Sequence, residues 1–273
     1  MSKPLISVIL PTYNGNPTWL KETIDSVLVQ SYTNFELIII NDASTNNVET
    51  QIKETVLLDS RIHYLKNDIN LERSASKNRG ICNSRWEYIA FIDDDDIWCD
   101  PDKLKKQVDF LEMNREYWLC WTDLVYIDEN GSKQYEVKTK KSNDLIKNTL
   151  LWSNQFAHSS IMIRKEVLDQ SWLFDIHLSL AEDYDLWMRI WIYSKLSNLD
   201  FFGIYYRNRS NNTSSRNSLK IEIIALWRSL QYIQYYPNRL KGVIFHLIAI
   251  FVPKNIIKYL IRYRASFSQK NQL

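Results

Sequence analysis

Four consecutive carboxylates, Asp93, Asp94, Asp95 and Asp96, close the apolar run Tyr88–Ile92. Like charges placed this close repel strongly, and when half-buried they either protonate or take up a counter-charge. Hard oxygen ligands suit a divalent cation such as Mg2+ or Mn2+. Mg2+ is typically shared between one or two carboxylates and substrate phosphates, so the cluster also points to a phosphorylated ligand. The alternative is a solvated acidic turn leading into a helix, with Asp100 at its N-cap and Pro101 at N1. A second acidic group, Glu182, Asp183 and Asp185, opens the stretch 181–190, where Leu186, Trp187 and Ile190 share one helical face. Acids in a first turn complement the helix dipole, so a purely structural role stays open for Glu182 and Asp183.

The elements that must position these acids are legible as alternating periods. Leu5–Leu10, Phe35–Ile40, Ile62–Leu65 and Tyr88–Ile92 read as buried strands. Between them lie helices starting at Pro17/Thr18, with apolar face Leu20, Ile24, Val27 and Leu28, then near Asn47–Leu58 and Arg73–Ser84. This β-α alternation predicts a mainly parallel, nucleotide-binding sheet flanked by helices. Three of its strands end in polar loops, Thr12-Tyr13-Asn14, Asn41-Asp42 and Asp93–Asp96, which can share one crevice. No G-x-G-x-x-G follows the first strand and no P-loop occurs, so carboxylates, amides and metal must do the work of a glycine nest.

Beyond a helix over Lys103–Asn114 the pattern loosens. Strands are expected at Trp118–Ile127, Lys133–Val137 (a hairpin through Glu129–Ser132), Ser159–Ile163 and Phe201–Tyr206, with a short helix at Glu166–Gln170 and a mobile polar loop around Lys138–Asn143. His158 lies either near an acceptor or in a structural setting.

Composition is that of a globular protein, 45% hydrophobic and 24% charged, and a net charge of +2 gives no sign of nucleic-acid binding. The charge is unevenly placed: residues 219–273 hold nine Lys/Arg against the single acid Glu222, a local +8 that leaves −6 for residues 1–218. Cys82, Cys99 and Cys120 lack metal-ligand spacing and read as reduced thiols, two of them buried. The start Met1-Ser2-Lys3-Pro4 runs straight into a strand without a signal-peptide pattern, and no apolar run is long enough to span a bilayer. After Pro253 the cations Lys254, Lys258, Arg262 and Arg264 alternate with apolar residues, as in a helix lying on an anionic membrane; packing on the domain is the alternative.

Five segments then carry a family resemblance: Val8–Asn14, Asn41–Ser44, Ser76–Gly80, Phe91–Asp96 and Ala181–Trp187. In this order and spacing they resemble glycosyltransferase family 2, inverting nucleotide-sugar transferases of the kind found in bacterial polysaccharide synthesis. The resemblance covers roughly residues 5–215. It implies a GT-A fold over residues 1–218, with a nucleotide-binding half (1–115) and an acceptor-binding half (116–218), followed by a basic helical extension (219–273). By that resemblance Pro11, Thr12 and Tyr13 embrace the nucleobase, Asp42 accepts a hydrogen bond from it, and Lys77 lines the nucleotide pocket. Asp93, with Asp94 beside it, holds the ribose side of the donor, Asp95 holds the Mn2+ or Mg2+ ion, and Asp183 is the general base. Tyr184 and Trp187 are placed to shape a sugar site. Two departures stand out. Glu72 takes a place where the family often has glycine, and Arg209 replaces a histidine that often completes the metal site, which makes it a candidate diphosphate contact.

The implied activity is metal-dependent sugar transfer from a nucleoside-diphosphate sugar, UDP-linked by family frequency, to a hydroxyl of a glycan or lipid-linked saccharide. The implied location is cytoplasmic, peripheral on the inner face of the cell membrane. A non-catalytic nucleotide-sugar-binding subunit on the same fold is the alternative. A metal-dependent phosphatase is disfavoured, because its nucleophilic aspartate would follow the first strand, where Pro11-Thr12-Tyr13 stands.

Overall fold

A computed structural model of the protein describes residues 4–85, 87–139, 142–171, 173–209 and 218–251. Strands β1 (Ile6–Thr12), β2 (Phe35–Asn41), β3 (Ile62–Lys66) and β4 (Tyr88–Phe91) run parallel in the order β3-β2-β1-β4. They read as apolar runs because both faces are covered. On one face Val8, Leu10, Leu37, Ile39 and Ala90 meet α1 (Pro17–Leu28), α2 (Val48–Leu58) and α4 (Lys103–Met113). On the other, Ile9, Ile38, Ile40, Ile89 and Phe91 meet α3 (Glu72–Asn83) and α7 (Glu182–Tyr193).

The second half extends the same sheet. After β4 the chain crosses to its far edge as the two-residue β5 (Ile97–Trp98), and the sheet continues from β4 through β8 (Met162–Arg164), β6 (Tyr117–Ile127) and β9 (Lys195–Arg207) to β5. β8 runs antiparallel to β4 and β6, whereas β6 and β9 run parallel. β7 (Lys133–Val137) hairpins onto β6 as expected. The acidic tetrad therefore spans the jump from the middle of the sheet to its edge.

Several boundaries differ from the expectations. Residues 158–160 form a 3-10 turn rather than the start of a strand, because Ser160 N bonds Ala157 O at 2.9 Å and the Ser159 hydroxyl is drawn to Asp96. The fourth helix begins at Lys103, with Asp100 instead closing an Asx turn onto Asp102 N at 2.8 Å. β9 starts six residues before Phe201, because its polar first half pairs with β6 across bulges that carry no apolar alternation. Helix α5 (Asn143–Lys147) takes up the end of the stretch read as a mobile loop, and Lys140 and Lys141 lie outside the described residues. α6 spans Lys165–Ser171. Of the cysteines, all free, Cys120 is buried, Cys99 half-buried and Cys82 exposed.

The chain ends, as described, with α8 (Ser218–Tyr232) and α9 (Arg239–Phe251). Ala225, Tyr232 and Tyr236 of this basic extension join the core around α7. Among the described residues no helix is long and apolar enough to cross a membrane. The amphipathic stretch after Pro253 lies outside them.

Helix α3 approaches the sheet closely at Gly80, where a Cβ would meet Ile9 and Ile40 side chains at 2.8 Å. Overpacking of this kind costs about 1–3 kcal/mol. Gly80→Val is expected to lower the thermal unfolding midpoint by several degrees, measured by calorimetry.

Candidate active site

Three loops beyond the carboxyl ends of β1, β2 and β4 are knitted together by their own polar groups. Asn14 Oδ1 accepts from Thr45 N at 2.8 Å, Asn14 N donates to Ser44 Oγ at 2.9 Å, and Asn41 Oδ1 accepts from Ser44 N at 2.9 Å. Asp42 is buried and ties down the loop that precedes α3: its Oδ1 accepts from Asn67 Nδ2 at 2.6 Å and from Leu71 N at 2.8 Å. Tyr13 is half exposed at the rim, and Pro11 and Thr12 pair in register with Ile40 and Asn41.

Asn14, Ala43, Glu72 and Ala181 all have positive φ, between 51° and 68°. Such residues cost of order 1–3 kcal/mol each and persist only where the surroundings over-determine them. Glu72 adopts φ 68°, a left-handed backbone that glycine takes without cost.

The four aspartates have four different settings. Asp96 is almost fully buried and structural: Oδ2 accepts from Ser159 Oγ at 2.5 Å, Oδ1 from Arg207 N at 3.0 Å, and its carbonyl from Thr23 Oγ1 at 2.7 Å. Asp94 Oδ2 accepts from Thr12 Oγ1 at 2.5 Å, and Gly15 packs against both, leaving no room for a Cβ. Asp95 Oδ2 meets Arg209 Nε at 2.8 Å. Asp93 is half-buried and anchored through its backbone N to Ser159 Oγ at 3.0 Å. Buried Arg207 braces the loop, donating to Asp95 O at 3.0 Å and pairing with Glu22 at 2.6 Å. Burial, then the charge of Asp94, pushes the Asp95 carboxyl up to about 7 against the pull of Arg209. Burial raises Asp94 and Asp96 as well.

Facing this loop is the first turn of α7. Glu182 Oε1 forms a buried ion pair with Lys77 Nζ of α3 at 3.0 Å. Burial works against the Lys77 charge, but Glu182, Asp93 and Asp183 outweigh it and hold the ammonium above its ordinary value. One cation thus feels the acids of both groups. Asp183 accepts from Asn154 Nδ2 at 3.0 Å, and burial followed by the neighbouring Glu182 raises its carboxyl to about 6. Residues Phe174–Leu178, which lead into α7, are clasped by α3. Asn78 exchanges two hydrogen bonds with the Phe174 backbone (2.8 and 2.9 Å), and Ser74 Oγ bonds Leu178 O at 3.0 Å.

His158 is buried against Phe91, with ring centroids 4.6 Å apart, and among the described residues neither ring nitrogen has a hydrogen-bond partner. Burial and nearby Lys77 lower its pKa well below the ordinary value, so the ring is neutral. The ring packs among Phe91, Phe174 and Trp187.

A family model described as "Glycosyl transferase family 2" matches residues 7–172, more than half the chain. The chain belongs to glycosyl transferase family 2. It is 32% identical over 274 aligned residues to an uncharacterized glycosyltransferase of Methanocaldococcus jannaschii, covering 96% of this chain and 94% of that one. It is 34% identical to a putative colanic acid biosynthesis glycosyl transferase of Escherichia coli, covering 69% and 67% respectively. Among solved structures it is similar to S. aureus TarS in complex with UDP-GlcNAc (TM-score 0.68, 20% identity, 87% of this chain and 72% of that one). It is similar too to a mannosyltransferase from Pyrobaculum calidifontis in complex with GDP-Man and Mn2+ (TM-score 0.68, 14% identity, 91% and 70%). The fold is GT-A, as the resemblance implied.

Within this glycosyltransferase fold, Thr12 meets Asp94 and Arg209 meets Asp95 in the acidic loop, Lys77 meets Glu182 at the start of α7, and Lys77 feels both Asp93 and Asp183. Asp42 Oδ1 takes part in the loop-holding network. Tyr184 and Trp187 turn into the core, with Tyr184 OH donating to Leu150 O at 2.5 Å. Sequence reasoning missed Glu182 as a partner of Lys77, since a first-turn acid is explained by the dipole alone. It also missed Asn154, Ser159 and Arg207, which carry no local signal. Removing one member of a buried pair strands the other, at about 3–5 kcal/mol. Lys77→Met is expected to destabilise the protein by about that amount in denaturant unfolding, and Lys77→Met with Glu182→Leu to recover most of it.

Proposed function

We propose that this family 2 enzyme transfers a sugar from a nucleoside-diphosphate sugar, a UDP-sugar by preference, to a hydroxyl of a glycan or lipid-linked acceptor. The observation that carries the reading is the shared field at Lys77, which is felt by Asp93 of the donor-side loop and by Asp183 of α7. A displacement reaction needs those two acidic groups around one recess. The support for polysaccharide synthesis is the named role of the Escherichia coli relative. The support for the donor class is what the two structural neighbours hold, UDP-GlcNAc and GDP-Man, which leave the base open between uracil and guanine.

In this reading Pro11, Thr12 and Tyr13 border the base, and Asp42 accepts a hydrogen bond from it. Lys77, Asp93 and Asp94 line the donor side, and Arg209 contacts the diphosphate. Asp183 takes the proton of the acceptor hydroxyl as its oxygen attacks the anomeric carbon. The bond from that carbon to the diphosphate breaks with its electron pair going to the leaving oxygen, on the face opposite the attack, so the anomeric centre inverts.

The donor set suits Mn2+ or Mg2+ as a shared site. Among the described residues no group of three or more His, Cys, Asp or Glu is arranged to hold a metal; Asp95 would hold the ion together with diphosphate and water oxygens. When bound, the ion would neutralise charge on the departing diphosphate. Asp95 Oδ2, which meets Arg209, must then turn to the ion or be shared with it. The enzyme works beside the inner face of the membrane, where a basic C-terminal tail favours lipid-linked acceptors.

A general base acts only when ionised, and its pKa near 6 places the transition. The rate kcat/KM is expected to rise with pH through about 6 and to level off above 7, read from a pH–rate profile in the pH-stable range. Asp183→Asn should lose about three orders of magnitude or more in kcat while donor binding stays intact. Equal loss of donor binding would make Asp183 a structural residue. Calorimetric titration of a panel of nucleoside-diphosphate sugars, with Mn2+ and with EDTA, is expected to show one donor binding only with metal. Asp95→Ala should remove that metal response, and a response unchanged in the variant would move the ligand elsewhere.

A further inference from the structure

The C-terminal helices present two opposite faces. Inward, α8 is fastened to the region of α7. Arg228 pairs with Asp175 at 2.5 Å and with Asp185 at 3.1 Å, Tyr232 OH donates to Asp185 at 3.1 Å, and Tyr236 OH donates to Met188 O at 2.8 Å. Ser229 Oγ of α8 and His246 Nε2 of α9 both bond the carbonyl of Leu151, at 2.7 and 3.1 Å. The two helices thus direct their inner faces at one point, and their outer faces turn away from it together.

Those outer faces are apolar. Ile223, Trp227 and Leu230 on α8 and Ile244, Ile248 and Phe251 on α9 are all exposed, Trp227 by 59% and Phe251 by 82%. On each helix they recur three, four or seven residues apart, so each set forms a stripe. A stripe of this kind in water needs an occupant.

Charge selects the occupant. Lys220, Arg239 and Lys241 are exposed on these helices, and by sequence the stretch 252–273 that follows α9 carries five Lys/Arg and no Asp or Glu. The one carboxylate after residue 218, Glu222, is engaged with His246 at 2.9 Å. Two copies of so cationic a face repel each other, whereas apolar and aromatic side chains among Lys and Arg match the boundary between acyl chains and anionic headgroups.

We infer that the outer face of α8 and α9 is a docking surface for an anionic lipid bilayer, rigidly joined to the helix that carries Asp183. This deepens the membrane-side placement proposed above and adds a defined surface to it. Because the contacts from Arg228 and Tyr232 end on Asp185, two residues from Asp183, docking fixes the recess relative to the lipid plane.

The test uses the full chain and vesicle co-sedimentation, with vesicles of phosphatidylcholine plus phosphatidylglycerol set against phosphatidylcholine alone. Binding to the anionic vesicles, weakened by salt, is the expected result. The triple substitution Ile223→Ser, Trp227→Ser and Ile248→Ser should weaken it at least tenfold while leaving the unfolding midpoint and calorimetric donor binding unchanged. Failure of the wild type to bind anionic vesicles overturns the inference, as does equal binding by the triple variant, which would assign docking to residues 252–273 alone. A dimeric wild type that ignores vesicles and becomes monomeric on triple substitution would make the face a contact between two copies instead. Donor binding is measured separately, so its absence in the wild type would count against the proposed reaction and not against docking.

Discussion

The ion pair between Lys77 and Glu182 is the constraint on which the architecture of the recess depends. It links α3 to α7, two helices on the same face of the sheet, and it does so out of water. A buried pair contributes little net stability against a well-packed apolar one, because desolvation offsets attraction. Its use lies in geometry: neither charge tolerates losing the other, so α3 and α7 are held in one register. The hydrogen bonds of Asn78 to Phe174 and of Ser74 to Leu178 supply the same link without charge. Lys77 is also where the fields of Asp93 and Asp183 meet, so the pair that joins the two helices bears on the electrostatics of both acids.

How much of this was legible in the sequence depends on whether a feature is local. The four parallel strands were, because strands covered on both faces are apolar at every position, and Pro17, Leu20, Ile24 and Val27 announce the first helix by spacing. The mixed half was less so. The first residues of β9 are polar, and they are ordered by parallel pairing to β6, a long-range contact with no periodic trace. β5 is two residues long and exists because the chain after Asp96 is pinned at the sheet's far edge. The 3-10 turn at His158–Ser160 depends on where Ser159 finds Asp96, sixty-three residues earlier.

The site shows the same division. Residue types and order were enough to single out Asp93–Asp96 and Asp183, but not to divide their roles. One acid of the tetrad, Asp96, is a structural bracket between Ser159 and Arg207, and no property of a D-D-D-D string distinguishes it from its neighbours. Lys77 was expected to line a pocket, and its engagement with Glu182 appears only once both helices are placed. Glu72 is a similar case. Its φ of 68° is a left-handed backbone that glycine adopts freely and glutamate rarely, and nothing in the residue type announces it.

The acidic loop also constrains how a donor can arrive. Hydrogen bonds from Ser159 and Arg207 N satisfy Asp96, which leaves Asp93, Asp94 and Asp95 to share the attraction of Arg209 and, from farther off, of Lys77. Lys77 is matched by Glu182, and Arg73 and Arg209 act against the burial that raises Asp94 and Asp95. A diphosphate brings further negative charge, which disfavours ionisation of these carboxyls. Under the proposed function, a divalent cation bound with the donor would offset both. Arg209 is then the protein's own contribution to that balance, placed at Asp95 where incoming phosphate oxygens would find it. A divalent ion there would supply the charge neutralisation that the departing diphosphate needs, with Asp95 as the residue that would hold it.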